Sequence, residues 1–478
     1  MKYYWTRFSL KYPNTIIYML QSSDYRIADY FLWLDRSYDF RKIAKRRKLD
    51  LTIKAQLLLL VIWLMIVFIY IIVILLVIQA FVISDLLMLL LALFVFVISP
   101  LFISYAIVVP LWIGKKTIQE PRQRELILSA KEILSNIPAK KIAIAGSYGK
   151  TSAKEIISTI LGQGKKVAFT PGNMNTVIGI SRFAQKLDGD EDIIIFELGE
   201  EKVGDVRELC ELVKPDIGII TGINEAHLSS FGTINNTIST IFELQDFLGD
   251  KKLYKNSESI NVSSKIKSED KFSYSKKGTN GWKVSDIKTD INGTGFTVEK
   301  GGKTIFANTE ILGLHNIGII TVAIDIADYF KLTIPQIAEG IKETKPFEHR
   351  MQPRHLHGAW VIDDTYNGNS EGVQAGLLLL KSLDAKRRIY VTPGLVEQGD
   401  KTREVHEKIG KQIADVADVV VLMKNSVTDY ISNGLRAGKY KGHLMVVDDP
   451  LEFYSNLDHF VAKGDVVLMQ NDWTDNFA

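Results

Sequence analysis

KIAIAGSYGKTSAKEIISTIL, residues 141–161, joins three patterns without a break. Ile142 and Ile144 alternate with Ala143 and Ala145, as in a buried parallel strand. Gly146-Ser147-Tyr148-Gly149-Lys150-Thr151-Ser152 follows at once, and Ile156, Ile157, Ile160 and Leu161 then recur at helical spacing. A strand, a glycine turn and a helix start together make a phosphate cradle. Glycines let backbone N–H groups approach an anion, and the helix N-terminus adds its partial positive charge. Lys150 is placed to reach terminal phosphates and the Thr151 hydroxyl to sit on Mg²⁺. Only the short G-x-x-G-K-T form is present, and alone it would describe a surface turn equally well. Its place between this strand and this helix makes it a nucleotide site.

The 478 residues predict two or three domains, and the net charge of +3 is unevenly spread. Residues 1–54 hold 12 Lys and Arg against 5 Asp and Glu, so the rest of the chain is net negative. A single cysteine, Cys210, excludes a disulfide framework and a cysteine metal site, and VRELCELV reads as a helix that buries it.

Residues 57–83 run 27 positions with only Gln79 strongly polar, and residues 86–113 are nearly as apolar. About 20 such residues span a ~30 Å hydrocarbon core, so these predict two membrane helices turning at Ser84-Asp85. The pair is too long and too far from the start for a cleaved signal peptide. Arg41, Lys42, Lys45, Arg46, Arg47, Lys48 and Lys54 precede the first span, and Lys115 and Lys116 follow the second. That bias predicts a two-pass protein of the cell membrane, with both termini and the soluble domains cytoplasmic. Upstream, IADYFLWLDRSYDF fits a segment lying among membrane lipids or an amphipathic helix docking on the soluble domains. Pro100 and Pro110 predict kinks in the second span.

Residues 117–345 read as a central domain. A helix over 122–136 leads to the phosphate strand. Thr170-Pro171-Gly172-Asn173-Met174-Asn175 is a polar turn before a helix, and IIIFELG, residues 193–199, is a strand ending on Glu197. An acid at that edge can hold Mg²⁺ beside a phosphate loop. PDIGIIT predicts another strand, followed by Asn224-Glu225-Ala226-His227, whose histidine is a candidate ligand. Residues 252–309 suggest a small antiparallel excursion with a hairpin at Gly301-Gly302. Asn316, after Gly-Leu-His, opens an apolar helix and has a cap as its simplest role. Residues 346–478 alternate buried strands with helices, as in a separate, mostly parallel α/β domain. Its loop Asp363-Asp364-Thr365-Tyr366-Asn367-Gly368-Asn369 carries more polar groups than a turn requires.

GSYGKTS, PGNMNTVIG, FELGE, NEAHLSSFG, GLHN, EHRMQ and DDTYNGN, in this order, resemble the Mur ligase family over residues 138–478. The resemblance implies an α/β fold: a P-loop-type central domain and a Rossmann-like C-terminal domain, here behind a helical transmembrane hairpin. It implies an ATP- and Mg²⁺-dependent amide ligase of peptidoglycan precursors, nearest the D-alanyl-D-alanine-adding branch. Such an enzyme phosphorylates a cell-wall precursor carboxylate, and the amine of an amino acid or dipeptide attacks the acyl phosphate. It has no nucleic-acid partner. By resemblance, Gly146, Ser147, Gly149, Lys150, Thr151 and Ser152 hold the phosphates, and Thr151, Glu197 and His227 hold the metal. Asn316 lies near adenine, Arg350 contacts the γ-phosphate, and Asp364 meets the ribose with Asn367 in the same loop. Lys150, His227 and Arg350 are then the catalytic set, and Asn173 and Asn175 face the substrate.

Three departures stand out. The membrane hairpin replaces the family's UDP-sugar domain; the family's carbamylated lysine falls on Ile241, with Glu243 kept; and a second asparagine after GLHN falls on Ile319. Two alternatives follow: a ligase for a lipid-linked or polymer carboxylate at the inner leaflet, or a non-catalytic nucleotide-binding scaffold. Retention of Lys150, Thr151, Glu197, His227, Arg350 and Asp364 weighs against the scaffold.

Overall fold

A computed structural model describes residues 3–37, 39–40, 49–172, 174–225, 231–268, 270–366, 368–396 and 398–471. The chain forms two compact units, residues 1–125 and 126–478.

The first unit is built on helices Ile53–Ile83 and Leu86–Ala106. Thr52 caps the first through the Ala55 N–H at 3.2 Å, and Asp85 caps the second through Leu87 at 2.8 Å. Ser84 takes the left-handed conformation that closes the turn between them. Over its most apolar window the first helix has a mean hydropathy of 3.5 with only 6% of that window buried, the reverse of a soluble core helix. At ~1.5 Å per residue its 31 residues exceed the ~30 Å hydrocarbon core. Pro100 has no N–H to offer the Phe96 carbonyl, and the Ser99 hydroxyl takes that carbonyl at 2.8 Å. A helix over Tyr12–Ser22, which the sequence reading missed, and another over Ile27–Arg36 pack on this hairpin. The Tyr30 hydroxyl donates to the Ser104 carbonyl at 2.7 Å, and Phe31 stacks on Tyr105. IADYFLWLDR therefore packs within the first unit, against the hairpin.

In the second unit, the central sheet has ten strands in the order β10-β9-β8-β7-β6-β5-β4-β1-β3-β2. Its parallel half comprises β1 (Lys140–Ala145), β2 (Val167–Phe169), β3 (Ile193–Glu197), β4 (Ile217–Ile220) and β5 (Lys252–Asn256). Strand β6 (Ser273–Ser275) adds in parallel to β5. Then β7 (Gly278–Thr279), β8 (Trp282–Asp290), β9 (Gly293–Lys300) and β10 (Lys303–Thr309) continue antiparallel, with the hairpin at Gly301-Gly302. The expected antiparallel stretch and its hairpin are present, and residues 252–309 extend the main sheet. Buried Asp325, on helix Asn316–Tyr329, ties the extension down. It accepts from Tyr254 at 2.7 Å, Trp282 at 3.1 Å, Asn280 at 3.0 Å and Lys300 at 2.9 Å. A desolvated carboxylate with that many donors has its burial cost offset, so it can hold a weakly apolar hairpin.

The C-terminal sheet runs β11-β12-β16-β13-β14-β15, from β11 (Gln352–Leu356), β12 (Ala359–Asp364), β13 (Arg388–Thr392), β14 (Val419–Met423), β15 (His443–Val447) and β16 (Val466–Gln470). All pairings are parallel except that of β11, an edge strand the periodicity did not reveal.

Candidate nucleotide and metal site

Strand β1 lies between β4 and β3, so the loop leaving it opens at the carboxyl edge of the parallel strands, where such sheets bind ligands. The loop is fixed by its neighbour. Ser147 N–H donates to the Gly222 carbonyl at 2.6 Å, and the Thr221 hydroxyl donates to Tyr148 O at 2.5 Å. A Cβ on Gly146 would overlap that hydroxyl, and Gly149 has φ +79°, which turns the chain into helix Lys150–Leu161. Thr151 and Ser152 occupy that helix's first turn. The Ser147 hydroxyl is buried without a hydrogen-bond partner. An orphan hydroxyl in a glycine cradle at a helix N-terminus fits a phosphate group, whose oxygens would accept from it.

Two buried ion pairs flank the loop. Lys150 Nζ contacts the Gly146 carbonyl and both Glu200 oxygens, at 3.0 and 2.8 Å. Four residues along the same helix, fully buried Lys154 donates to Glu197 at 3.2 Å and to the Gly172 carbonyl at 2.8 Å. Glu197 ends β3, as expected; its other oxygen accepts from Asn175 Nδ2 at 3.4 Å, and its N–H donates to the Thr170 hydroxyl at 3.0 Å. Burial raises the neighbouring Glu155 carboxyl, against the pull of Lys154. A cleft lined by Lys150, Asn175, Gly199, Glu200 and Lys202 opens beside the loop. The structure therefore brings together Gly146, Ser147, Gly149, Lys150, Thr151, Ser152, Asn175 and Glu197. His227, Asn173 and Asn367 lie outside the described residues.

The C-terminal domain meets this edge through the loop after β4. Asn224 Nδ2 donates to Glu371 at 3.0 Å, and Lys401 pairs with Glu225 at 3.1 Å. Burial, with the Glu371 and Glu258 carboxylates nearby, pushes the Tyr148 phenol up to about 12. Asp364, at the end of β12, accepts from Gln470 at 2.7 Å and from the Met351 N–H at 3.1 Å. Burial pushes its carboxyl up to about 6 despite these bonds. Arg350 lies over the Tyr366 ring, 4.6 Å from its centre. Asn316 does not cap its helix. The cap position is His315, and the Asn316 amide donates back to the Leu312 carbonyl at 2.9 Å. Ile241 is wholly buried in the apolar core, and Glu243 accepts from the Arg207 N–H at 2.9 Å.

Lys154, Glu200, Glu371 and Gln470 were missed in the sequence. Lys154 had a signal: four residues after Lys150, it shares a helix face with it. Glu200 had a weaker one, as the second acid of FELGE.

A parallel sheet with a glycine–lysine–threonine loop, an acid on the adjoining strand and a second α/β domain over its edge defines a nucleotide-dependent transferase or ligase core. Residues 144–327 match the Mur ligase middle domain and residues 349–470 the Mur ligase, glutamate ligase domain; the chain belongs to the Mur ligase family. Members of this family use ATP and Mg²⁺ to form carbon–nitrogen bonds, releasing ADP. The chain is 24% identical over 352 residues to the UDP-N-acetylmuramoyl-tripeptide–D-alanyl-D-alanine ligase of Bacillus subtilis, covering 71% of this chain and 75% of that one. Against the enzyme of the same name from Escherichia coli it is 25% identical over 285 residues, covering 58% and 63% of the respective chains. The fold is shared with the MurF ligase of Thermotoga maritima in complex with ADP (TM-score 0.63, 24% identity, 73% and 80% covered). It is also shared with MurF from Acinetobacter baumannii (TM-score 0.64, 20% identity, 73% and 77% covered).

Proposed function

We propose that this chain is a membrane-tethered ligase that activates a carboxylate of a muramoyl-peptide precursor with ATP and joins it to the amine of D-alanyl-D-alanine. The observation that carries the reading is the loop of residues 146–152, with Lys150, Asn175 and Glu200 lining one cleft beside it. The relatives named above support the choice of substrates. In this reading the precursor carboxylate attacks the γ-phosphorus of ATP, ADP leaves, and the amine displaces phosphate from the acyl phosphate. Lys150 and the loop N–H groups hold the charge that builds on the transferring oxygens. Mg²⁺ would be held by Thr151, Glu197 and His227, and when bound it neutralises phosphate charge. Asn316, Asp364 and Asn367 would face the nucleoside, Arg350 the γ-phosphate, and Asn173 and Asn175 the precursor.

Purified full-length protein should release ADP only when UDP-muramoyl tripeptide and D-alanyl-D-alanine are both present; release without the amine, or none at all, defeats the reading. The domain limits 117–345 and 346–478 belong to the same proposal. So does the topology: the hairpin crosses the membrane twice, with both termini and the catalytic domains cytoplasmic. Reporter fusions at Lys116 and at the C-terminus test it, and periplasmic activity from either would sink it.

The exposed apolar faces of the hairpin favour one second reading, a lipid-linked carboxylate presented at the membrane. If a chain beginning at Glu120 uses the soluble precursor as well as the full-length protein does, that second reading fails.

A further inference from the structure

The short helix Tyr4–Phe8 lies against the second helix of the hairpin. The Tyr4 hydroxyl donates to the Val97 carbonyl at 2.6 Å, and the Phe8 ring packs on Phe96 with 5.0 Å between centres. Arg7 is the only charged residue of this helix. Its guanidinium lies 5.3 Å from the centre of the Tyr4 ring and 5.0 Å from that of Phe40. Its Nε is buried without a hydrogen-bond partner, and among the described residues no carboxylate pairs with it. Aromatic rings can cover the face of a guanidinium, but its five N–H donors lie in its plane and call for oxygen acceptors.

The depth of this cation follows from the hairpin. About 20 residues at ~1.5 Å each make the ~30 Å core, so counting back from the Ser84-Asp85 turn places the hydrocarbon boundary near residues 64 and 105. Exposed Trp63 and Tyr105 stand at that level, where amphipathic rings settle. The two N-terminal helices that pack there expose Asn14, Asp29 and Arg36, groups suited to the polar layer and costly in hydrocarbon. Val97, which holds Tyr4, is some eight residues, or ~12 Å, inside the boundary. Phe40 packs edge-on against Tyr12, whose hydroxyl bonds Ser104 at the boundary itself. Arg7 thus rises from a helix anchored in the apolar layer and lays its charged end against Phe40, as a snorkelling side chain does. The oxygen acceptors at that depth belong to lipid, and the guanidinium fork matches a phosphate with two parallel N–H donors. Residues 1–54 carry 12 Lys and Arg against 5 Asp and Glu, which favours an anionic lipid over a zwitterionic one.

We infer that Arg7 binds the phosphate of an anionic phospholipid, in the leaflet at the open end of the hairpin. The inference rests on the membrane reading above.

The test titrates full-length protein in detergent micelles with phosphatidylglycerol or phosphatidylcholine and counts bound lipid by native mass spectrometry. The wild type should hold its first phosphatidylglycerol at least fivefold more tightly than phosphatidylcholine. Arg7→Gln should lose that preference, and Arg26→Gln, an exposed cation of the same unit, should keep it. Excess inorganic phosphate should leave the lipid in place; displacement would assign the site to a soluble anion and overturn the inference. Unchanged phosphatidylglycerol binding in Arg7→Gln, with a lowered melting temperature, would show that the arginine only packs between its rings, and would overturn it too. If Arg7→Gln does not fold, Arg7→Lys replaces it: the charge stays but the fork is lost, so binding should weaken at least threefold, and undiminished binding overturns the inference. A wild type that leaves the membrane in alkaline carbonate would instead take down the membrane reading itself.

Discussion

Replacing Lys154 by methionine separates the electrostatics beneath the site from the chemistry above it. Lys154 is fully buried, and its partner Glu197 is 4% exposed, so the variant leaves a desolvated carboxylate whose remaining donor among the described residues, the Asn175 amide, is neutral. Breaking a buried pair by removing one partner costs about 3–5 kcal/mol. The Gly172 carbonyl loses its ammonium donor as well, for about 1 kcal/mol more. Methionine nearly matches the lysine stem in volume, which keeps the cavity term small. For a domain of roughly 200 residues that sum is a drop of about 10–20 °C in melting temperature. Lys154→Met/Glu197→Gln should recover all but about 1–2 kcal/mol, because the second change removes the orphan charge. Differential scanning calorimetry of the four proteins closes the double-mutant cycle. A single variant melting within 2 °C of the wild type, or a double variant no better than the single, would refute the claim that this pair is desolvated and coupled.

Lys150→Ala should lose about 10²–10³ in kcat, because a preorganised cation is removed from the phosphate site, and should melt lower than the wild type, because the buried pair with Glu200 is broken; unchanged ADP release would place the nucleotide elsewhere. Asp364 titrates near 6 when folded, above the ~3.9 of an unfolded chain. The folded state therefore binds the extra proton between those values, and stability falls as pH rises from about 4 to about 6 and then levels. Asp364→Asn should remove that fall, about 3 kcal/mol, when unfolding midpoints are followed from pH 4 to 8; parallel curves for the two proteins would contradict the assigned burial. Turnover should be indifferent to added bicarbonate in degassed buffer, since Ile241 can form no carbamate; clear stimulation would mean that another lysine fills that place.

Much of the fold is written in period-2 and period-3.6 patterns, because a strand covered on both faces must be apolar throughout. IIIFE over β3 and VVVLM over β14 are such strands, and they fall where the sequence places them. The antiparallel half of the central sheet gave a weaker signal. Strand β8 alternates buried and exposed only at its start and is interrupted between Ser285 and Lys288. It is held largely by the hydrogen bonds around Asp325, on a helix some forty residues later in the chain, and no local pattern reports a partner that distant. The same reason hid helix Tyr12–Ser22: it is buried on nearly every side, so it lacks the polar face that marks an amphipathic helix.

The site divides along similar lines. Residues whose backbone must do something unusual announce themselves: glycines where the chain turns left-handed or passes close to Thr221, and a lysine and threonine at the helix start. Residues whose role depends on a charge brought from elsewhere do not. Lys154 and Glu200 look like ordinary members of a helix and a turn, and only the register of β1 against β3, with Ile144 beside Glu197, sets each opposite its partner. That register also explains why two ion pairs arise instead of one. Helix Lys150–Leu161 returns along the sheet with Lys150 and Lys154 one turn apart, while Glu197 and Glu200 lie at the end of β3 and just past it. The inner pair can stay closed as a support. The outer pair borders the cleft beside the loop, so the spacing along a single helix gives its two lysines different surroundings, one wholly buried and one at the cleft.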